Sequence, residues 1–127
     1  MSTPHPIMTL GETLIALCTA GKHEDLWQAH YADDAISVEA VPMPDGQREA
    51  KGLAAIRAKN EWWSGAHEVH EIKIEGPYVH GADRFSVIFN LDVTQKETGE
   101  RWQMQEIATY ITNADGKIHR EEFSYAV

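Results

Sequence analysis

Hydrophobic and polar residues alternate most regularly between residues 85 and 94. Such an alternation places successive side chains on opposite faces of a β-strand, so one face of this strand is expected to be buried. The residues on that face are Phe85, Val87, Phe89, Leu91 and Val93, and those on the other are Ser86, Ile88, Asn90, Asp92 and Thr94.

Other segments of the chain also have the residue pattern of strands. They are residues 35–41, 69–75, 102–112 and 118–125. Residues that favour turns separate the later strands, at Gly76-Pro77, Gly81 to Asp83, Thr98-Gly99 and Asn113 to Gly116. Short connections of this kind join antiparallel neighbours, so we expect a meander in the second half of the chain.

The first half contains a helical pattern that begins with a predicted capping box. Thr9 is expected to be the N-cap and Glu12 to bond back to it, while Gly21 ends the helix in a left-handed turn. Hydrophobic residues recur at helical spacing between these signals, at Leu10, Leu14, Leu17 and Cys18.

Two further helices are predicted. One covers about Glu24 to Tyr31 and is followed by a turn at Asp33-Asp34. The other covers Gly52 to Trp63, with Ser64-Gly65 as its end. Its inward stripe consists of Leu53, Ile56, Asn60 and Trp63, and a loop at residues 42–46 precedes it.

These elements predict one α+β domain over residues 9–127, preceded by a flexible N-terminus at residues 1–8. Three helices pack on one face of the sheet, and a curved sheet leaves a pocket between the two layers. A chain of 127 residues is long enough to bury a substantial core.

The charge of the chain narrows the range of partners. Twenty acidic and 11 basic residues give a formal net charge of -9, without a cluster of Lys or Arg. Nucleic acid and anionic membrane surfaces would be repelled, so neither is an expected partner. No segment approaches the roughly 20 apolar residues of a membrane span, and Met1 to Pro6 lacks the features of a signal peptide. A single cysteine, Cys18, fits a buried core position in a cytoplasmic protein.

Residues 31–35 (YADDA) and 52–57 (GLAAIR) resemble the SnoaL-like, polyketide-cyclase-like and ketosteroid-isomerase-like proteins of the nuclear-transport-factor-2-like superfamily. Ala20-Gly21 and residues 113–117 (NADGK) extend the resemblance over nearly the whole chain. The resemblance implies a cone-shaped α+β barrel, in which three N-terminal helices pack on a curved, mostly antiparallel sheet that encloses a pocket. It does not imply one activity, because this fold hosts isomerases, cyclases, dehydratases and proteins without known activity.

The resemblance also suggests roles for individual residues. The position of the isomerase's general-base aspartate is Glu39 in this chain. Its two oxyanion donors, a tyrosine and a protonated aspartate, correspond to Leu14 and Ala108, so ketosteroid isomerase activity is not expected. The cyclases commonly carry a catalytic acid on a later strand, where Glu106 is the nearest candidate.

Strand alternation predicts which side chains share the pocket. If Ala108 faces inward, Met104, Glu106 and Tyr110 do so as well, and the last strand contributes Glu121, Phe123 and Tyr125. His70 is expected on the face of Ile72 and Ile74. The predicted catalytic residues are Glu39, His70, Glu106 and Glu121, and the predicted ligand-binding residues are Trp27, Asn60, Trp63, Tyr110, Phe123 and Tyr125.

Carboxyl groups gathered in one pocket cannot all remain ionised, because burial and mutual repulsion raise at least one pKa. Alternatives to this arrangement remain open at this stage. Glu106 and Glu121 could instead point outward, solvated or paired with arginines (Arg57, Arg101 and Arg120). His70 could be a hydrogen-bonded core residue, and the tryptophans could only fill the core.

A metal site is not expected. His67 and His70 are three residues apart on a strand, whereas a zinc-protease pair requires histidines four apart on a helix. No phosphate-binding glycine loop or serine nucleophile elbow occurs either, so we expect a protein without a cofactor.

Three functions therefore fit the sequence. The first is an isomerase, cyclase or dehydratase that acts on a small, largely apolar, carbonyl-bearing molecule, with Glu39 as base and His70, Glu106 or Glu121 as proton partner. The second is a non-catalytic domain that binds a small ligand. The third is an interaction module that forms a homodimer through the outer sheet face. Residues of that face are Ile88, Asn90, Gln103, Gln105, Ile107, Thr109 and Ile111.

Overall fold

A computed structural model describes residues 5–126 of the chain. The predicted flexibility of residues 1–4 lies outside this range. The elements in chain order are α1 (Pro6–Thr19), α2 (His23–His30), β1 (Tyr31–Val38), β2 (Glu49–Lys51), α3 (Leu53–Ala66), β3 (His67–Val79), β4 (Arg84–Gln95), β5 (Arg101–Thr112) and β6 (Ile118–Ser124).

The strands form a six-stranded sheet in the order β2-β1-β6-β5-β4-β3. Strand β1 runs parallel to β6, and the other neighbours are antiparallel, so the sheet is mixed and open rather than closed. Three helices pack on this sheet. The predicted α+β class, with three helices on a mostly antiparallel sheet, is confirmed.

The core lies between the helices and the inward face of the sheet. The alternation predicted for β4 is confirmed, since all five of its inward hydrophobic residues are at most 8 % exposed. Leu14 of α1 is fully buried, and Leu26 of α2 and Ile56 of α3 are each 2 % exposed. Each helix therefore contributes an apolar stripe to one shared core.

Helix α1 begins earlier than its sequence signals predicted. His5 is the N-cap, and its Nδ1 accepts a 3.2 Å hydrogen bond from the Ile7 backbone N–H. Proline at the first helical position suits a helix start, because its missing N–H has no partner there. The predicted capping box at Thr9 is therefore wrong, and residues 6–8 belong to the first turn of α1.

The predicted end of α1 is confirmed. Gly21 has a φ of +72°, and the Lys22 N–H bonds the Leu17 carbonyl oxygen at 2.8 Å. This is the glycine-terminated turn that satisfies the last carbonyl groups of a helix.

Two local predictions in the middle of the chain are wrong, and one short strand was not predicted. Asp33 and Asp34 do not form a turn but lie exposed within β1, where the pairing with β6 is irregular and the backbone stays extended. Ser64-Gly65 does not end α3, which continues to Ala66. Strand β2 was not predicted, because three residues with only Ala50 buried give no periodic signal.

Candidate active site

A cavity of about 570 Å³ lies between the helices and the inward face of the sheet. Its walls come from α1, α2, α3, strands β3 to β6 and the segment that follows β1. This volume is in the range of sites for small organic molecules. Most of the lining is apolar, and its carboxyl and ammonium groups belong to Glu39, Lys59, Glu106 and Glu121.

Glu39 follows the end of β1, where its backbone N–H bonds the Arg48 carbonyl oxygen at 2.8 Å. Its carboxylate has two partners from other elements. The Lys59 ammonium lies 2.6 Å from Oε1, and the Tyr125 hydroxyl donates a 3.1 Å hydrogen bond to Oε2. The side chains of Glu39 and Lys59 are only 18 % and 14 % exposed, so this ion pair is largely shielded from bulk water.

Lys59 is the functional side chain that the sequence predictions missed. Its ammonium also donates a hydrogen bond to Ser37 Oγ at 2.5 Å and lies 4.5 Å from the centre of the Phe123 ring. Lys59 is three residues after Ile56 on α3 and four before Trp63, and that spacing was the signal that could have identified it as inward-facing.

Glu121 lies deeper than Glu39 and is only 5 % exposed. The Tyr31 hydroxyl donates a 2.7 Å hydrogen bond to its Oε1. Burial raises the pKa of the Glu121 carboxyl, and the nearby Lys59 charge and the bond from Tyr31 oppose that rise. The direction remains upward, which favours the neutral acid near pH 7 relative to an exposed glutamate.

Glu106 has a different environment from Glu39. Its side chain forms no hydrogen bond or ion pair with any residue between 5 and 126, although it lines the cavity. Burial, and then the negative charge of Glu39, raise the pKa of Glu106 to about 7, with Lys59 acting in the opposite direction. Near neutral pH this group can therefore either donate or accept a proton.

Aromatic residues form much of the remaining wall. The predicted ligand-binding residues Trp27, Asn60, Trp63, Tyr110, Phe123 and Tyr125 all line the cavity. Tyr110 stacks on Phe85 with ring centres 5.1 Å apart, and Trp63 stacks on His67 at 4.5 Å. These contacts fix the orientation of the rings that a ligand would meet.

Not every predicted catalytic residue reaches the cavity. The pairing of β3 with β4 shifts between Val69 and Glu71, so His70 is the extra residue of a β-bulge. A bulge reverses the faces of the residues before it, and here Val69 joins Ile72 on the cavity wall. His70 is exposed and its Nε2 lies 2.6 Å from Thr94 Oγ1, so the prediction that His70 lies in the pocket is wrong.

The alternative in which the arginines neutralise Glu106 and Glu121 is also wrong. Arg57 pairs with Glu24, Arg101 with Asp92, and Arg120 with Glu122. Glu106 and Glu121 both line the cavity instead.

Within residues 5–126, no three His, Cys, Asp or Glu side chains are grouped so that they could hold a metal ion. In the same range no helix is long and apolar enough to cross a membrane. Cys18 is 7 % exposed, and burial raises the pKa of its thiol to about 12.

The sequence profile of the SnoaL-like domain matches residues 8–125. No match was found among curated proteins. Among solved structures, a Mesorhizobium loti protein named as a candidate SnoaL-like polyketide cyclase [carbohydrate phosphatase] is 38 % identical. The match covers 92 % of this chain and 97 % of that one, with a TM-score of 0.82.

Two more distant structures share the fold. A Δ5-3-ketosteroid isomerase from Mycobacterium sp. is 22 % identical over 96 % of this chain and 94 % of that one, with a TM-score of 0.69. Rv0760c from Mycobacterium tuberculosis, in complex with estradiol-17β-hemisuccinate, is 20 % identical over 97 % of this chain and 95 % of that one, with a TM-score of 0.73.

Proposed function

The chain belongs to the SnoaL-like family, and from that premise we propose that it is an enzyme that moves a proton on a small, largely apolar, carbonyl-bearing molecule bound in the cavity. Glu39 acts as the general base and Glu106 as the general acid. The reaction class is that of an isomerase, cyclase or dehydratase. The steroid ester held by the Rv0760c relative supports an apolar ring system as the kind of ligand.

The observation that carries this proposal is the contrast between two neighbouring carboxyl groups. Glu39 is bonded to an ammonium and a hydroxyl, whereas Glu106 has no polar partner in the described part of the chain and has a pKa of about 7. When two acids share a site and their environments differ in this way, one serves as the base and the other as the acid.

A ligand whose carbonyl lies between them would lose a proton from the adjacent carbon to Glu39. Glu106 would then return a proton to another atom of the same molecule. Glu121 already accepts a hydrogen bond from Tyr31, so we assign it a secondary role, in which it exchanges protons with Glu106 rather than with the ligand.

Hydrogen–deuterium exchange tests the proposal without knowledge of the natural product. The protein is incubated in D₂O with a panel of cyclic ketones, and deuterium next to the carbonyl is measured by NMR. We expect Glu39→Gln to slow the enzyme-dependent exchange by about 10²-fold or more. Glu106→Gln should keep this exchange, because Glu106 acts on another atom of the ligand after the proton has been removed. Glu71→Gln, on an exposed glutamate of β3, is the matched control and should have no effect. Ketones that bind without any enzyme-dependent exchange would contradict the proposal.

One observation favours a second candidate, a non-catalytic binding domain. Both oxygens of Glu39 are already bonded to other side chains, so neither can reach a ligand C–H without giving up one of these contacts. This alternative predicts that ligand affinity survives Glu39→Gln and that native mass spectrometry of the purified protein finds an unaltered bound molecule.

We also propose that the outer sheet face forms a homodimer. Ile107 is 48 % exposed and lies opposite Ile88 in the β4–β5 register. With Ile111 of the same face, this pair gives a half-apolar surface that suits a two-fold contact. Sedimentation at micromolar concentration should detect a dimer that Ile107→Glu converts to monomer, and a monomeric wild type would contradict this proposal.

A further inference from the structure

Lys59 stands out among the residues that line the cavity because it is the one Lys or Arg side chain in the described part of that lining. An ammonium group has three N–H donors. Two acceptors are in place, Glu39 Oε1 at 2.6 Å and Ser37 Oγ at 2.5 Å. The third donor has no oxygen or nitrogen partner between residues 5 and 126, and the ammonium faces the Phe123 ring beside the empty space.

We propose that Lys59 is a catalytic residue that holds the carbonyl oxygen of the ligand and stabilises the enolate formed there. The inference rests on the proposed function, since it assigns a role within the same proton transfer. It also defines the ligand more narrowly, as a ketone or aldehyde with an acidic C–H next to the carbonyl.

The geometry makes this stabilisation specific to the transition state. Before the reaction, the positive charge of Lys59 is balanced by the carboxylate of Glu39. When the C–H bond breaks, the proton passes to a Glu39 oxygen and the electron pair moves to the carbonyl oxygen. Glu39 becomes neutral at the moment when the ligand becomes negative. Lys59 therefore exchanges one anionic partner for another, and no net charge is created in the apolar cavity.

The two groups can act on one molecule at the same time. A carbonyl oxygen and the adjacent C–H carbon are separated by two bonds, and Lys59 and Glu39 are in direct contact. Ser37 is fully buried on β1, does not line the cavity, and holds the ammonium in place by accepting one of its hydrogen bonds. A fixed donor needs little reorganisation during the reaction, which is the condition for effective electrostatic catalysis.

A phenol that mimics the enolate tests the inference independently of turnover. We choose 4-nitrophenol, because its phenolate is yellow and its neutral form is colourless. At a pH below the phenol's own pKa, we expect the wild-type protein to bind it as the yellow phenolate, with its proton on Glu39. Lys59→Met should lower the bound phenolate by about tenfold or more, while Lys59→Arg retains part of it.

The control is Lys73→Met, on an exposed lysine of β3 that does not line the cavity, and it should leave the colour unchanged. Circular dichroism and a thermal melt establish that each variant is folded. Equal colour with wild type and Lys59→Met, or colourless mixtures with both wild type and Glu39→Gln, would overturn the inference.

Glu39→Gln separates this inference from the proposed function. Glutamine imitates the protonated form of Glu39 and leaves Lys59 without its carboxylate, so the bound phenolate should increase. The same substitution should abolish deuterium exchange. Loss of exchange without a rise in phenolate would overturn the role of Lys59 alone, whereas a rise in phenolate without loss of exchange would overturn the role of Glu39 as base.

Discussion

The Tyr31 hydroxyl donates a 2.7 Å hydrogen bond to Glu121 Oε1, although the two residues are 90 positions apart in the chain. Tyr31 begins β1 and is 6 % exposed, while Glu121 lies on β6 and is 5 % exposed. These are the two strands that pair in parallel. The bond therefore links β1 and β6 on their buried face. It also gives the buried carboxyl group of Glu121 a hydrogen-bond donor that it would otherwise lack.

Tyr31→Phe should destabilise the protein by about 1–3 kcal/mol, because it leaves the buried Glu121 oxygen without its donor. The measurement is equilibrium unfolding in urea. Tyr78→Phe is the matched control, since Tyr78 is 52 % exposed on β3, and it should change the free energy of unfolding by less than about 0.5 kcal/mol. Equal effects of the two substitutions would show that the Tyr31 bond does not contribute.

Stability should fall as the pH rises through 7, because of Glu106. The pKa of this group is about 7 in the folded protein and 4.5 for an ordinary glutamate. Between these two pH values the folded state therefore binds more protons than the unfolded state. The contribution of Glu106 to the free energy of unfolding is complete below pH 4.5 and is lost as the pH rises through 7. The raised pKa of Glu121 acts in the same direction.

Glu106→Gln removes the Glu106 part of this dependence. We expect the variant to be more stable than wild type at pH 8, by up to about 3 kcal/mol, and close to wild type at pH 5. Urea unfolding at both pH values measures the difference. Glu71→Gln should show no such dependence, and a Glu106→Gln variant that is less stable at pH 8 would contradict the environment assigned to Glu106.

Cys18 should be nearly inert in the folded protein. Burial raises the pKa of its thiol to about 12, so only about one molecule in 10⁴ carries the reactive thiolate at pH 8. We expect Ellman's reagent to react with the native protein at least about 10³-fold more slowly than with the protein unfolded in guanidinium. The chain has one cysteine, so the whole absorbance change comes from Cys18. Rapid reaction of the native protein would contradict the prediction and place Cys18 at the surface.

The sequence predicted the elements with strong periodicity and missed those that depend on contacts between elements. Phe85 to Val93 alternates without interruption, and all of its buried positions were assigned correctly. The same rule failed at His70, because the β-bulge after Val69 reverses the faces to which the residues before it point. No residue type in this segment indicates a bulge. Strand β2 exists only because it pairs with β1, which a three-residue segment cannot indicate.

The candidate site shows the same division. Alternation along β5 and β6 correctly grouped Glu106, Tyr110, Glu121 and Tyr125 on the cavity wall. Lys59 was missed because a charged residue on a helix is usually solvated, and only its contact with Glu39 indicates a different role. Periodicity can assign a side chain to one face of a helix or strand. It cannot show that Lys59 meets Glu39, because that contact depends on how α3 packs against β1.

Two helical glycines should respond to alanine in opposite ways. Gly65 lies near the end of α3, and a Cβ atom added there would meet nothing within 4 Å. At Gly11 of α1, an added Cβ would lie 2.5 Å from Pro77 Cβ and 2.7 Å from its Cγ. Alanine favours a helix over glycine by about 1 kcal/mol at either position, so the difference between them reports packing alone.

Gly65→Ala should therefore stabilise the protein by about 0.5–1 kcal/mol. Gly11→Ala should destabilise it by about 1–3 kcal/mol, since the proline ring cannot move aside as a flexible side chain would, and α1 must shift away from β3. Thermal and urea unfolding of the two variants measure both effects under the same conditions. If Gly11→Ala also proved stabilising, α1 would not pack against Pro77 as closely as this distance requires, and the helix wall of the cavity would have to be repositioned.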